Sequence, residues 1–278
     1  MINLKLTVLV DNSTFIDRYF LAEPAISFYI EDGEKKILFD VGYSNAYIRN
    51  AEKMGINLRK LDYVVLSHGH SDHTWGMEPL IRLYSEANLE GLDFRKPTVI
   101  AHPDLFQPKF LNGEDIGSLL SGEKIAQHFK LTYSREPIWV TDRLVFLGEI
   151  PRQFHFEGQD PIGKTGMELK NDYLLDDSAL VYKTEKGLVV IVACSHAGIC
   201  NTIEYAKKVC QEERIVDIIG GFHLLQPSEK QIKHTVAYFK NLNPDVIHAC
   251  HCTDFPSKVA ISDVANVKEV GVGLHLEY

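Results

Sequence analysis

The N-terminal third of the chain alternates short apolar runs with turn residues, a pattern typical of consecutive β-strands. Strands are predicted at residues 4–10, 25–31 and 36–40. Asp32-Gly33-Glu34 separates the last two, and Asp-Gly between apolar runs indicates a β-hairpin. A helix at about 44–54 ends at Gly55, a residue type that favours the position after a helix. The nearly continuous apolar run 61–66 then predicts a strand that is buried on both faces.

The remainder of the chain is predicted to combine strands and helices around two irregular segments. Residues 103–131 are polar and punctuated by glycine, which indicates a partly helical insertion. Residues 151–173 form a long loop without a clear period, and long loops inside compact domains are usually functional or mobile. We expect one domain over residues 1–278. The other predicted elements are helices at 77–84, 199–210 and 228–242 and strands at 98–101, 138–146, 179–184, 188–194, 216–219, 246–249 and 270–276.

Composition and charge limit the classes of protein to which the chain can belong. With 278 residues, 45% hydrophobic and 24% charged, the chain has the composition of a globular protein with a substantial core. Its net charge of -9 disfavours a nucleic-acid partner, because binding phosphate backbones needs a basic face. Five scattered cysteines are no disulfide framework, and the start of the chain lacks the apolar stretch of a signal peptide. We therefore expect a cytoplasmic protein with no membrane partner, and the oligomeric state stays open.

The densest chemical signal is a cluster of metal-ligand residue types directly after the apolar strand 61–66. His68, His70, Asp72 and His73 lie within six residues, and imidazole with carboxylate is a ligand set that zinc prefers. Residues two apart at a strand end point the same way, so His68 and His70 are expected to bind one ion together. If the chain turns afterwards, Asp72 and His73 face a second ion. The sequence thus predicts one or two divalent ions, with zinc expected and manganese or iron as alternatives.

The Ser-His-x-His-x-Asp-His pattern, preceded by residues 38–42, resembles the metallo-β-lactamase superfamily. The segments 194–199, 220–224 and 251–253 resemble one branch of it, which contains archaeal dihydropterin synthases of the methanopterin pathway and bacterial metal-dependent hydrolases. The resemblance covers about residues 3–276. It implies an α/β fold, a four-layer αββα sandwich, with metals at one edge between two sheets.

The resemblance also implies roles for three residues outside the main cluster. His251 follows an apolar strand and matches the last metal-binding histidine of the superfamily. His196 lies at a strand-to-helix turn, where function often lies, and is expected to take over a ligand role by a path that differs from the family's. Asp40 ends a strand and matches the carboxylate that orients the metal-ligand histidines. An ordinary strand-end or helix-capping aspartate is an equal alternative for Asp40.

The sequence departs from the family pattern around the predicted strand 188–194. Most members bridge their two ions with an Asp after the strand 188–194, where this chain has Cys194, and the usual histidine before that strand is missing. Cys194 is either a thiolate ligand or a buried apolar residue, and packing is the favoured alternative. Packing is also favoured for Cys250 and Cys252.

Three residues are candidates for binding substrate. His223 ends a strand beside two glycines, and substrate contact, support of the site and ordinary packing all stay open for it. Arg152 and His155 open the long loop, where their charge suits an anionic substrate.

The function predicted from these residues is metal-dependent hydrolysis through a metal-activated water, with Asp72 as the acceptor of the water's proton. The resemblance to dihydropterin synthases implies a phosphate-bearing small molecule, nucleotide-like or pterin-like, as the substrate. One alternative is a nuclease or phosphodiesterase acting on nucleic acid, although the acidic charge weighs against it. Another is a protein that binds a nucleotide or pterin without turnover, since the bridging Asp is absent.

Overall fold

The computed structural model describes residues 4–278 and divides into two compact units. The first unit comprises the chain up to Ser134 with Gly163–Asp172 and Gly271–Tyr278, and the second comprises Arg135–Ile162 and Tyr173–Val270. The prediction of a single domain stays a prediction. In chain order the elements are β1 (Leu4–Val10), β2 (Ser27–Asp32), β3 (Lys35–Phe39), α1 (Ala46–Lys53), β4 (Tyr63–Val65), α2 (Ser71–Thr74), α3 (Met77–Leu89), β5 (Thr98–Ala101), β6 (Lys109–Leu111), β7 (Glu114–Asp115), α4 (Gly122–Ala126), β8 (Lys130–Tyr133), β9 (Ile138–Trp139), β10 (Leu144–Phe146), β11 (Lys164–Thr165), β12 (Lys170–Asn171), β13 (Leu180–Thr184), β14 (Gly187–Ile191), α5 (Ile199–Cys210), β15 (Ile215–Gly221), α6 (Glu229–Leu242), β16 (Val246–Cys250), α7 (Phe255–Ser262) and β17 (His275–Glu277), with a short 3-10 helix at Leu58–Lys60.

The first unit is built on a sheet with the strand order β17-β1-β2-β3-β4-β5-β8. Strands β1, β2 and β3 pair antiparallel, and the predicted Asp-Gly hairpin joins β2 to β3. From β3 onwards the pairing is parallel through β4, β5 and β8. The apolar faces of α1 and α3 contribute Tyr47 and Leu80, among others, to a continuous core cluster. The carboxyl ends of parallel strands therefore meet at one edge of this sheet, where the residues after β3 and β4 are held side by side.

The predicted insertion at 103–131 contains one short helix and short strands separated by turns. The helix is α4, and β8 joins the main sheet of the first unit. Strands β6 and β7 belong to a small four-stranded sheet with the order β12-β11-β6-β7. The predicted loop 151–173 supplies β11 and β12 to that sheet. Lys109 and Asp172 tie the two segments together through a buried ion pair of 2.8 Å. The pairing partner is distant in the sequence, so local pattern did not reveal these short strands.

The second unit is built on a sheet with the strand order β16-β15-β14-β13-β10-β9. Strands β14, β15 and β16 run parallel, and α5 and α6 connect them. These helices share an apolar cluster with the sheet, to which Ile203 and Phe239 contribute. As in the first unit, the carboxyl ends of the parallel strands lie at one edge of the sheet.

Most predicted elements agree with the structure to within a few residues. The predicted strand 138–146 is instead the antiparallel pair β9 and β10, and the predicted strand 270–276 is reduced to β17. Helix α7 was missed, although Asp254 accepts a hydrogen bond from Ser257 N and Pro256 lies in its first turn, both common at helix starts. Among residues 4–278, no helix has both the length and the hydropathy needed to cross a membrane.

The Lys109–Asp172 pair yields a stability prediction. Lys109→Met is expected to lower the free energy of unfolding by about 3 kcal/mol, because it removes the countercharge of a buried carboxylate. Lys170→Met, which breaks an exposed ion pair with Glu168, is the matched control and should change it by less than about 1 kcal/mol. Urea unfolding followed by circular dichroism measures both, and equal losses would contradict a stabilising role for the buried pair.

Candidate functional site

Asp40 is the centre of a buried hydrogen-bond network in the first unit. It follows β3 with a left-handed backbone (φ 55°), and its side chain is fully buried. Its Oδ1 accepts a hydrogen bond from Ser67 N at 2.7 Å, and its Oδ2 accepts from Ser67 Oγ at 2.7 Å and His73 Nδ1 at 2.6 Å. Asp40 thereby connects the end of β3 with the end of β4 and with α2.

This network fixes the orientation of two histidines. Since the Ser67 hydroxyl donates to Asp40, its oxygen accepts from His68 Nδ1 at 2.9 Å. His73 likewise donates its Nδ1 hydrogen to Asp40. Donation through Nδ1 leaves the Nε2 lone pairs of His68 and His73 available as metal ligands.

The donor groups of the motif lie close to one another in pairs. His68 Nε2 and His70 Nδ1 are 3.0 Å apart, and the rings of His68 and His73 have centroids 4.1 Å apart. Two nitrogen lone pairs at 3.0 Å repel unless a proton or a cation lies between them. His73 Nε2 is 3.4 Å from Asp72 Oδ2, so a carboxylate oxygen joins the three imidazoles.

The electrostatics of the motif favour positive charge. Burial by itself lowers the pKa of His73, but the carboxylates of Asp72 and Asp40 outweigh it and raise that pKa well above its ordinary value. A divalent cation held by the imidazoles would be stabilised by the negative charge of the same two carboxylates. The donor set of the first unit therefore fits a metal ion of the kind that the motif predicts.

Gly69 lies within the histidine motif because a larger residue has no space there. A Cβ atom on Gly69 would lie 2.1 Å from the carbonyl oxygen of Leu105 and 2.7 Å from Cε of Lys109. Ile116, which lies in the segment 103–131 with Leu105 and Lys109, accepts a hydrogen bond from Ser71 N through its carbonyl oxygen at 2.8 Å. The segment predicted as an insertion thus packs directly against the motif.

In the second unit, histidines and cysteines follow the parallel strands β14, β15 and β16. His196 lies in the turn between β14 and α5, and its ring centroid is 4.2 Å from that of His223, which follows β15. His251 follows β16 directly. His223 and His251 have left-handed backbones with φ of 49° and 48°. Non-glycine residues in this region carry strain, which clusters at functional sites.

Cys194, His223 and Cys252 form a second group of candidate ligands, with one donor atom from each lying within 4.8 Å of the others. His223 N donates to Cys252 Sγ at 3.2 Å. Burial raises the pKa of the Cys252 thiol, but hydrogen bonds with Cys194 and His223 and the nearby imidazoles hold that pKa well below its ordinary value.

A cavity of about 400 Å³ lies in the second unit beside these strand ends. His155, from the long loop, lines it together with His196 and His223. Lys230 and Gln231, in the first turn of α6, complete its polar wall. The volume falls in the range of small-molecule sites, and a helix N-terminus with a lysine beside it suits an anion.

Arg152 is engaged within the long loop. Its guanidinium donates to the carbonyl oxygens of Gly158 at 2.9 Å and Leu174 at 3.0 Å, and also to that of Tyr173. It does not line the cavity described above. Contact between Arg152 and substrate stays a prediction.

Two buried carboxyl groups of the second unit were not singled out from the sequence. Burial raises the pKa of Glu157 to about 7, although the backbone amides of Asn201 and Cys200, at the start of α5, oppose this. Burial likewise raises the pKa of Asp177 to about 7, against a hydrogen bond of 2.8 Å from Ala197 N. Nothing in the composition of the loop marks Glu157, because its burial depends on α5. Lys230, by contrast, could have been found from the sequence, because it is a lysine in the first turn of the predicted helix 228–242.

The fold and the strand-end histidine motif define a protein of metallo-β-lactamase type. The sequence profile of the metallo-beta-lactamase superfamily matches residues 23–111. A solved metal-dependent hydrolase of the beta-lactamase superfamily is 26% identical and covers 99% of both chains, with a TM-score of 0.83. The predicted α/β fold class, the metallo-β-lactamase fold, is confirmed by this similarity.

Two proteins of Methanocaldococcus jannaschii are similar over nearly the whole chain. One is 7,8-dihydropterin-6-methyl-4-(beta-D-ribofuranosyl)-aminobenzene-5'-phosphate synthase, 30% identical over 274 residues, covering 92% of this chain and 90% of the synthase. The other is an uncharacterised protein, 31% identical over 264 residues and covering 93% and 94% of the two chains. The chain belongs to the metallo-beta-lactamase superfamily, in the branch that includes this synthase. These similarities support a hydrolase that binds a divalent metal.

The geometry of the first unit yields a metal-binding prediction. The double variant His68→Ala/His70→Ala is expected to lose at least one bound ion per chain, because it removes two imidazoles whose nitrogens lie 3.0 Å apart. The control His128→Ala/His275→Ala removes two histidines outside the motif and should keep the full metal content. Elemental analysis of zinc-loaded, desalted protein measures both, and an undiminished content in the first variant would place the metal elsewhere.

Glu157 yields a prediction for stability against pH. Its ordinary pKa of 4.5 is raised to about 7 in the folded chain, so between these pH values the unfolded chain has released a proton that the folded chain keeps. The free energy of unfolding should therefore fall as pH rises from about 4.5 to about 7, by about 3 kcal/mol from this group. Asp177 adds a slope of the same sign.

Glu157→Gln removes the ionisable group and should flatten the dependence, whereas Glu185→Gln in an exposed turn should leave it unchanged. Chemical unfolding at a series of pH values measures the slope. An equal slope in Glu157→Gln and the parent protein would show that Glu157 ionises normally.

Proposed function

We propose that the chain is a metal-dependent hydrolase that uses a metal-activated water to act on a phosphate-bearing, ring-containing small molecule. The observation that carries the proposal is the close approach of donor pairs beside the Asp40 network, with His68 Nε2 at 3.0 Å from His70 Nδ1 and His73 Nε2 at 3.4 Å from Asp72 Oδ2. The proposed metal ligands are His68, His70, Asp72 and His73 of the first unit together with His196 and His251 of the second. Zinc is the proposed metal, because imidazole and carboxylate donors suit it, with manganese or iron as alternatives.

Each residue of the first unit then has a defined task. Asp40 accepts the Nδ1 hydrogen of His73 and, through Ser67, holds His68 in the corresponding tautomer. A divalent ion at the donors supplies Lewis-acid chemistry, which makes hydroxide available at neutral pH and polarises the phosphoryl oxygen. Asp72, with a side chain that is 30% exposed, is the proposed acceptor of the proton from the attacking water.

The proposed substrate class rests on the cavity of the second unit and on the relative's product. The synthase of Methanocaldococcus jannaschii is named for a molecule with a dihydropterin ring and a 5'-phosphate. In this chain, His155, His223 and Lys230 face a cavity large enough for such a ring. Because the whole chain carries a net charge of -9, a phosphate needs local cations of this kind.

The helix start beside the cavity strengthens the proposed phosphate site. Ser228 caps α6 by accepting a hydrogen bond from Gln231 N, and the positive end of the helix dipole lies at this end. Arg152 is proposed to contribute by keeping the loop that carries His155 in place, in addition to its predicted contact with the anion.

The function is tested with a panel of nucleoside monophosphates, cyclic nucleotides and pterin phosphates, each assayed for thermal stabilisation and for release of phosphate or alcohol with added zinc or manganese. Turnover of one of these compounds supports the proposal. Stabilisation without turnover would favour a binding protein. Cleavage of long RNA with no response to any small phosphate would favour a nuclease.

Lys230 provides the corresponding binding prediction. Lys230→Ala is expected to weaken the affinity for the most stabilising phosphate compound about tenfold, because it removes one charged hydrogen-bond donor worth about 1.4 kcal/mol. Lys233→Ala removes an exposed lysine of the same helix that does not line the cavity and should leave the affinity unchanged. Isothermal titration calorimetry measures both constants. An equal loss in the two variants would indicate a general effect of charge and argue against a contact by Lys230.

A further inference from the structure

The carboxyl ends of β14, β15 and β16 bring two sulfur atoms and an imidazole together in the second unit. Cys194 comes three residues after β14, whereas His223 and Cys252 each come two residues after β15 and β16. Their donor atoms lie within 4.8 Å of one another. The three strands are adjacent and parallel, in the order β16-β15-β14, so each contributes one donor at the same edge of the sheet.

The two cysteines differ from the cysteines that pack as apolar residues. Cys200 and Cys210 belong to the apolar cluster of the second unit, with α5 supplying both. Cys194 and Cys252 are not members of that cluster. Cys194 is only 4% exposed, and candidate ligand atoms of His223 and Cys252 lie within 4.8 Å of its sulfur. The preference for packing that the sequence suggested is therefore weaker at these two positions.

The backbone around the group is held in an arrangement that only particular residues allow. Ser195, His223 and His251, each at or next to a donor, have left-handed φ angles of 56°, 49° and 48°. Gly221 has no space for a side chain, since its Cβ would lie 2.6 Å from Cys252 Sγ and 2.4 Å from the Ala193 carbonyl oxygen. Three left-handed positions thus surround one cluster, and such strain is often found at functional sites.

Hydrogen bonds from the backbone also support sulfur as a ligand. His223 N donates to Cys252 Sγ at 3.2 Å, and Phe222 N donates to Thr253 Oγ1 at 2.9 Å. An amide that donates to sulfur supports its charge and fixes its direction, as the surrounding hydrogen bonds of metal-bound cysteines do. The two bonds hold the ends of β15 and β16 together at the position of the donors.

We propose that Cys194, His223 and Cys252 form a sulfur-containing metal site in the second unit, which takes a borderline-soft divalent ion such as Zn²⁺. Two thiolates and one imidazole are a ligand set typical of zinc, and three protein ligands leave a fourth position open. His223 also lines the cavity, and because imidazole has two ring nitrogens, ligation by one leaves the other for a ligand there. The inference rests on the proposed function in that both require a bound divalent ion.

X-ray absorption at the zinc edge tests the site in the unaltered, zinc-loaded protein. The expected result is a sulfur shell at about 2.3 Å in addition to nitrogen and oxygen at about 2.0 to 2.1 Å. A spectrum that needs only nitrogen and oxygen would overturn the proposal. Because the measurement needs no variant, it stays decisive even if substitutions at these positions impair folding.

Cobalt substitution shows which cysteine sulfur atoms bind the metal ion. The chelated protein is loaded with Co²⁺, and thiolate ligation is read from the charge-transfer absorption in the near ultraviolet. We expect the band to fall to about half in Cys194→Ser and in Cys252→Ser and to vanish in the double variant. Cys210→Ser, in the apolar cluster, should keep the full band. An unchanged band in the Cys194 and Cys252 variants would overturn the assignment.

The same preparations separate this inference from the proposed function. In His68→Ala/His70→Ala, the thiolate band should persist, since its donors lie in the second unit; its loss would overturn a site held by these three residues. Metal binding and turnover without a thiolate band would refute the inference and leave the hydrolase intact. A thiolate band without turnover of any phosphate compound would support the inference and contradict the hydrolase.

Discussion

The buried carboxylate of Asp40 is the interaction on which the histidine motif depends. Asp40 lies in a left-handed conformation at the end of β3, fully removed from solvent, and accepts three hydrogen bonds from Ser67 and His73. A buried carboxylate is costly unless such donors satisfy it, so the network that stabilises Asp40 also fixes the rings of His68 and His73. Without it, either ring would be free to rotate or to change tautomer. The electrostatic preference for a cation beside His73 follows from the same carboxylate together with Asp72.

Local sequence pattern predicted the parts of the chain whose structure is set locally. The hairpin at Gly33, α5 and the apolar strands of both sheets follow from period and turn chemistry, and the histidine motif was visible as a cluster within one segment. The small sheet of β6, β7, β11 and β12 was not, because its two halves are separated by about fifty residues and its strands are too short to show a period. The grouping of Cys194 with Cys252 was missed for the same reason, since only the parallel register of β14, β15 and β16 brings them together.

The two units share one structural arrangement, the ends of adjacent parallel strands, but place different types of metal donor there. In each, parallel strands end at a common edge, and left-handed backbone conformations occur just beyond it, at Asp40 in the first unit and at Ser195, His223 and His251 in the second. The first unit places imidazoles and carboxylates at this edge, which are harder donors, and the second places imidazoles and thiols, which are softer. Such a difference would allow ions of different character to be held by one chain. Glu157 and Asp177 in the second unit are only 4% and 1% exposed, and electrostatic interactions are stronger where solvent is excluded.

The close packing of Gly69 against Leu105 and Lys109 has a consequence for exchanging parts between relatives. The histidine motif is short enough to transplant as a peptide, yet the residues that pack against it belong to a segment that begins some thirty residues later. A chimera that carried the motif into another scaffold without this segment would leave Gly69 facing a void or a clash, and the motif would lose the support of the Ile116 carbonyl. Residues 69–117 are therefore expected to be inherited together, and recombination within them should be tolerated far less often than recombination at the exposed turn Glu185-Lys186.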